Sequence, residues 1–246
     1  MKNLLILLFI SVSALAQNDT MQTHIVQTHI VQTDTLKPGK LKTRIFSFTP
    51  TPDAVDRVNG LALGVGYANA TVNGLNLEIN PLGILIFMFQ DPVRTLERDN
   101  GEIHTKVNGL HISTSGFMDH SQLNGVGISL FSVTTKTNGV SIAGFYNVSK
   151  ELNGLHVAAL NNTATEKGNG LFIAVANHAG RLNGVQLGAF NSADYTTGLT
   201  AGLSNTCKEE LTGVQIGLFN RTKKCRGLQI GLWNINEKRS LPFINW

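Results

Sequence analysis

A formal charge of +4 over 246 residues is small, and loss of Lys2 with a leader would lower it to +3. The basic residues are scattered except for Arg221, Lys223, Lys224 and Arg226 in a polar linker. A nucleic-acid surface would interleave such residues with stacking aromatics, so the cluster reads as a solvated edge and no nucleic-acid partner is expected.

The chain opens as a secretory signal does. Lys2 gives a positive start, Leu4 to Ile10 an unbroken apolar run, and Ala14-Leu15-Ala16 a small-x-small cleavage site. The run falls well short of the roughly 20 residues that span a bilayer. Residues 1–16 are read as a signal peptide, with the mature chain starting at Gln17 and the protein exported. No Cys sits at the cleavage site to carry a lipid anchor. Residues 17–57 form a polar lead. It holds a direct pentad repeat, Thr23-His24-Ile25-Val26-Gln27 and then Thr28-His29-Ile30-Val31-Gln32. The lead reads as a tether, a disordered arm or an extra edge strand. Pro50, Pro52 and residues 53–57 mark the boundary before the next region.

From residue 58 to 239 the chain repeats itself. Eleven glycines, Gly60, Gly74, Gly109, Gly125, Gly139, Gly154, Gly170, Gly184, Gly198, Gly213 and Gly227, each follow a turn-like residue, usually Asn. Apart from the gap between Gly74 and Gly109 they are 14 to 16 residues apart. Counting from each glycine, position 1 is Leu or Val, position 3 is almost always Leu, Ile or Val, and position 5 is mostly apolar. Position 2 is often polar and position 4 mostly small. Period-two alternation of this kind means a strand with one face in a core, and positions 1, 3 and 5 are expected to face inward. Each strand then meets an asparagine (Asn161, Asn177, Asn191, Asn205, Asn220, Asn234), suited to a corner. A polar linker follows, with one inward apolar residue before the next glycine: Leu123, Leu152, Leu182 or Leu211.

Two architectures fit: an all-β solenoid of about eleven coils, or an antiparallel β-barrel. A meander alternates its ends, yet all linkers share one character. Membrane barrels also want strands of about 9–11 residues, and clean alternation here covers about six. The solenoid is the expected fold, roughly 50 Å long at ~4.8 Å per rung, with stacked asparagines able to form side-chain ladders. Residues 81–106 interrupt the array and read as a degenerate repeat with an excursion packed on the solenoid. A membrane-dipping or partner-binding loop is the alternative. Residues 240–246 read as a C-terminal cap, with Phe243, Ile244 and Trp246 folded over the last core layer.

No catalytic constellation emerges. His111 and His156 share position 2 but lie three units apart, about 14 Å along a stack, and structural zinc needs four converging ligands. No metal or cofactor is expected. Glu78 stands at position 4, either as an isolated acid in a groove or simply on a solvent-exposed face, with no second carboxylate or base forced near it. Cys207 lies nine residues after its glycine and Cys225 two before the next, which puts them out of register on neighbouring rungs. Export permits their pairing, and two partly buried free thiols are the other reading. The candidate binding face is built from position 2 and the aromatic position 6: Gln186, Phe190, Gln215, Phe219, Gln229 and Trp233. It would take a glycan, an extended peptide or another surface protein. The competing reading turns the aromatics inward to close the core.

The units Gly213-Val-Gln-Ile-Gly-Leu-Phe-Asn220 and Gly227-Leu-Gln-Ile-Gly-Leu-Trp-Asn234, the segment Val72 to Gly83 and the ending Leu241-Pro-Phe-Ile-Asn-Trp246 resemble a bacterial family of surface-repeat proteins, found in spirochaetes and in the Bacteroides-like phylum. The resemblance spans about residues 58–246. It implies export and display at the outer membrane, and it carries no catalytic residues. Many members look like lipoproteins, and the missing signal-peptide Cys sets this chain apart. The expectation is a non-enzymatic envelope protein with a structural or binding role, at the cell surface, outer membrane or periplasm. The rivals are an outer-membrane β-barrel and a glycan-active β-helix enzyme, the latter with only Glu78 to offer.

Overall fold

The computed structural model describes residues 42–246 except 67, 82, 84, 86–88, 90, 99–100 and 118–119. The signal-like segment and the pentad repeat, with His24 and His29, lie outside the described residues. The elements in order are β1 (Thr43–Thr49), β2 (Arg57–Gly64), β3 (Thr71–Glu78), helix α1 (Pro92–Arg98), β4 (Thr105–Ser113), β5 (Ser121–Ala158), β6 (Asn161–Ile173), β7 (Ala176–Leu187), β8 (Phe190–Ile235) and β9 (Ser240–Asn245).

Strands β1 to β8 pair in chain order and every pairing between them is parallel. Repeat glycine pairs with repeat glycine: Gly60 with Gly74, Gly74 with Gly109, Gly109 with Gly125, and onward to Gly184 with Gly198. Eleven glycines therefore enclose ten turns of a β-solenoid. Parallel pairing excludes the antiparallel barrel. The long β5 and β8 are chains that keep their ladder while passing several corners.

The glycines are not hairpin turns. Asn-Gly lies mid-strand, with the ladder intact on both sides, as in Asn59↔Asn73, Gly60↔Gly74 and Leu61↔Leu75. From Gly60 to Gly213 the repeat glycines have φ between +122° and +147°, a region closed to L side chains. A Cβ at Gly198 would also run into the Gly184 carbonyl oxygen one turn below. The residue is thus fixed twice, by its own dihedral and by its stacked neighbour.

Three expectations about organisation become specific. First, residues 43–49 of the lead form β1, whose Phe46 and Phe48 pair with Leu61 and Leu63, so among the readings of the lead this part is the extra edge strand. Second, the described residues between 81 and 104 form no repeat strand. β3 pairs directly in register with β4, and the chain between them makes an excursion that includes α1. Asp91 caps this helix, its Oδ1 accepting from the Val93 and Arg94 amides, and Pro92 occupies the first turn, where its missing N–H costs nothing. Leu96 buries itself against Phe131, Val133 and Val148 of β5. Third, the C-terminal cap is an antiparallel strand. β9 pairs with the end of β8, Ile230 opposite Ile244 and Gln229 opposite Asn245. Asn245 is buried, while Phe243, Ile244 and Trp246 are exposed. The aromatics do not fold over the core because Asn236 and Asn245, bonded to each other, fill that place.

Candidate binding face

The largest departure from expectation is which face points inward. Gln186, Gln215 and Gln229 are 0 % exposed, whereas Phe190, Phe219 and Trp233 are 57 %, 58 % and 45 % exposed. The six residues do not share a surface: the glutamines line the lumen and the aromatics stand outside. Positions 1, 3 and 5, expected inside, point out; Ile216 is 44 % exposed beside the fully buried Gln215.

The reason is parity. The residue two before the glycine, such as Val72, Leu123, Leu182 or Leu211, is buried in ten of the eleven repeats, half-buried Cys225 being the exception. Because the chain passes through the glycine as a strand, even positions stay inward: position 2 (Ala62, Asn76, His111, His156, Phe172) and position 4 (Ala143, Ala158, Ala174). Where position 4 is glycine the turn below lies close: a Cβ at Gly202 or Gly231 would meet the carbonyl oxygen of Gly188 or Gly217. Other turns admit Ala there, and β3 admits Glu78.

Two amide ladders run along the stack, an inner one in the lumen and a half-buried outer one beside the repeat glycines. In the inner one, Asn147 Nδ2 donates to Asn162 Oδ1 at 2.8 Å, and the chain of bonds continues through Asn177, Asn191, Asn205, Asn220 and Asn234 at 2.7–3.0 Å. The second N–H of each donates to a strand carbonyl one turn on, for example Asn205 to Ile216 O and Asn220 to Ile230 O, both at 2.9 Å. The ladder member after Asn147 is Asn162, not Asn161. The turns from Gly139 and Gly154 carry one extra residue, and Asn161 pairs in register with Tyr146 and Ala176 instead. The outer ladder uses the Asn before the glycine from Gly60 to Gly170 and runs the opposite way. Asn73 donates back to Asn59, and so on through Asn108, Asn124, Asn138, Asn153 and Asn169. The inner-ladder asparagines thereby avoid the cost of desolvated, unpaired amides, whereas Asn76 Oδ1, Gln186 Oε1 and Gln229 Oε1 are buried with no partner among the described residues.

What the lumen does not take, the outside shows. Position 1 and position 3 form two aliphatic columns along the stack, in register from turn to turn, as in Leu155↔Leu171↔Val185↔Leu199 and Val157↔Ile173↔Leu187. The columns begin at Phe46 and Phe48 of β1. The position-3 column ends at Ile244 of β9. A third, shorter column at position 5 joins them near the C-terminal end. There Ile216 and Ile230, the glycine floor of Gly217 and Gly231, and Leu203, Leu218 and Leu232 line an open trough of about 700 Å³, closed by Phe243 and Ile244. Other sides of the coil carry charge, balanced between neighbouring turns: Lys208 with Asp194 at 2.8 Å, Lys223 with Glu209 at 2.9 Å and Arg226 with Glu210 at 3.1 Å.

The titratable candidates also move. Glu78 is 2 % exposed rather than on a solvent face. Asn76 Nδ2 donates to its Oε1 at 2.9 Å and lies 3.0 Å from His111 Nδ1. Burial pushes the Glu78 carboxyl up to about 7, against the lowering effect of the Asn76 bond. His111 stacks on Phe117 at 3.9 Å and burial lowers it to about 3. His156 sits beside Phe172 and burial lowers it to about 4. His111 and His156 are neutral lumen fillers, and Glu78 is a buried carboxyl held partly protonated near pH 7. Among the described residues, no three His, Cys, Asp or Glu side chains gather as a metal-ligand set. Cys207 is buried, its Sγ 3.4 Å from the Asp194 carbonyl oxygen, and Cys225 is half-buried; both are free thiols.

The sequence held a usable signal for the reversal. Leu182 and Leu211, read as inward, share parity with Gln186 and Gln215 if the glycine lies within a strand. Treating Asn-Gly as a turn broke that count. Comparison of the chain with protein-family models, with curated proteins and with solved structures finds no match.

Proposed function

We propose that this chain is an exported, non-enzymatic protein of the bacterial cell envelope that acts as a binding or structural rod. One observation carries the binding half of the reading: uncharged aliphatic columns stay outside along the whole stack while the lumen takes stacked amides beside its Val, Leu, Phe and Ala side chains. A folded chain that hides its glutamines and shows its isoleucines presents a surface built for contact. The export half rests on Lys2, the Leu4–Ile10 run and Ala14-Leu15-Ala16, together with the resemblance of the repeats to surface-repeat proteins. Glu78, enclosed in the lumen, is badly placed to act on a glycan lying along the outside, which weighs against the hydrolase reading. Fractionation of the native cells, with N-terminal sequencing of the mature chain, tests the proposal. The expected result is an envelope-fraction protein beginning at Gln17 and cleaved by protease added to intact cells. A cytosolic chain that retains residues 1–16 overturns it.

A further inference from the structure

We infer that the aliphatic face is the interface of a face-to-face homodimer, in which two solenoids pack their position-1 and position-3 columns against each other. The inference goes beyond the envelope reading and stands whether or not the chain is exported.

The first argument is the sheet itself. A parallel sheet is normally covered on both faces. Here the lumen side of the strands is covered by the coil, and the outer side of the same strands by nothing described. The second is area. About a dozen rungs at ~4.8 Å, and a width of two to three outward residues, give a face of roughly 55 Å by 15 Å, about 800 Å² per copy. That equals the area each partner commonly contributes to a stable specific complex, about 800 Å². The third is shape. Both columns repeat with the rung spacing, so the ridge of one copy finds the furrow between columns on another, as in aligned sheet packing about 10 Å apart. No other partner is guaranteed that period.

Charge selects the second copy over a lipid surface. The columns contain no ionisable residue and no hydrogen-bonding side chain from Leu61 to Ile230. Peripheral membrane binding usually adds basic residues drawn to anionic lipid. The basic side chains Lys208, Lys223 and Arg226 on other sides of the coil are each tied to a carboxylate of an adjacent turn. What remains is a flat apolar patch whose natural complement is apolar, flat and of the same pitch.

The test is sedimentation of the mature chain in detergent-free buffer, with phospholipid vesicle flotation alongside. The wild type is expected to sediment as a dimer at about 100 µM, above the weakest affinity usual for interfaces of this size. Ile173→Lys combined with Ile216→Lys places unpaired charges in the contact, and is expected to weaken the dimer by roughly 100-fold or more. Both side chains point outward, so the far-UV circular dichroism should stay that of the wild type. Lys224→Glu, off the face, should leave the dimer intact. A wild type that is monomeric at the same concentration refutes the inference. So does an assembly that persists in the folded double variant. Flotation with vesicles that is lost in the double variant would assign the face to a membrane surface instead.

Discussion

Replacing Asn205 with Ala should be among the most damaging single changes in the chain, although it removes only an amide from a protein rich in them. Asn205 Nδ2 donates to Ile216 O at 2.9 Å and to Asn220 Oδ1 at 2.8 Å, and its Oδ1 accepts from Asn191 Nδ2 at 2.9 Å. Truncation leaves Asn191 with its bonds to the Ala201 and Gly188 carbonyls. It strips two acceptors, Ile216 O and Asn220 Oδ1, in a lumen where Asn205 and Gln215 are fully buried. At about 1–3 kcal/mol for each buried group left unpaired, the loss is about 2–6 kcal/mol. Asn169→Ala supplies the control. It also breaks a ladder bond, to Asn153 at 2.6 Å, but in the half-buried outer ladder, where water can replace the amide and the loss should stay near 1 kcal/mol. Urea unfolding followed by far-UV circular dichroism measures both. If Asn205→Ala costs no more than Asn169→Ala, the inner ladder is not the sealed network described above, and the reasoning fails.

Other outcomes follow from the same geometry. Glu78 titrates near 7 when folded and 4.5 when unfolded. Its favourable term is complete below pH 4.5 and lost as pH rises through 7, so Glu78→Gln should stabilise the fold by up to about 3 kcal/mol at pH 8 and hardly at pH 4. A gain that is equal at both pH values would argue against a buried carboxyl. His156 shifts the other way, with its term present above pH 6.5 and lost as pH falls towards 4; His156→Phe, matching the adjacent Phe172, should blunt acid unfolding over that window by about 3 kcal/mol. Gly198→Ala meets both a φ of +133° and the Gly184 carbonyl oxygen and should cost at least about 2 kcal/mol; a neutral melting temperature would show that the column tolerates a side chain. Deleting residues 240–246 uncovers the last rung's edge and should lower stability or drive end-to-end association; an unchanged monomer would remove the capping role of β9.

Much of the architecture was legible from periodicity. The 14- to 16-residue spacing, the uniform linkers and the recurring Asn were enough to favour a parallel coil over a barrel and to anticipate amide ladders, because each depends on translation by one rung. The facing of the strand was not legible by the same means. Alternation states that one face is apolar and says nothing of which side is enclosed, and the habit of burying the apolar set fails in a lumen this narrow. There the space at Gly202 and Gly231 is limited by the previous turn's carbonyl, and the stacked asparagines satisfy one another. Gln215 and Ile216 show the consequence: the residue that looks like surface is sealed, and the one that looks like core is outside. For Phe219 and Trp233 the sequence leaves both an outward and an inward reading, and the structure has them exposed, apart from the glutamines grouped with them. Helix α1 was hidden for a different reason. Seven residues with one buried leucine, Leu96, are too short for a helical period to stand out, and the helix exists because β5 offers Phe131, Val133 and Val148 to pack against.

Side-chain amide hydrogen exchange of the mature chain by nuclear magnetic resonance tests the inverted arrangement most directly. Gln215, Asn205 and Asn220 lie in the lumen with their amides bonded to carbonyls of the stack. Their side-chain N–H signals should persist in deuterated buffer long after the amide protons of an exposed side chain such as Asn183 have exchanged. Exchange of the Gln215 and Asn220 amides as fast as that of Asn183 would place them outside, and would contradict a polar lumen and an apolar face.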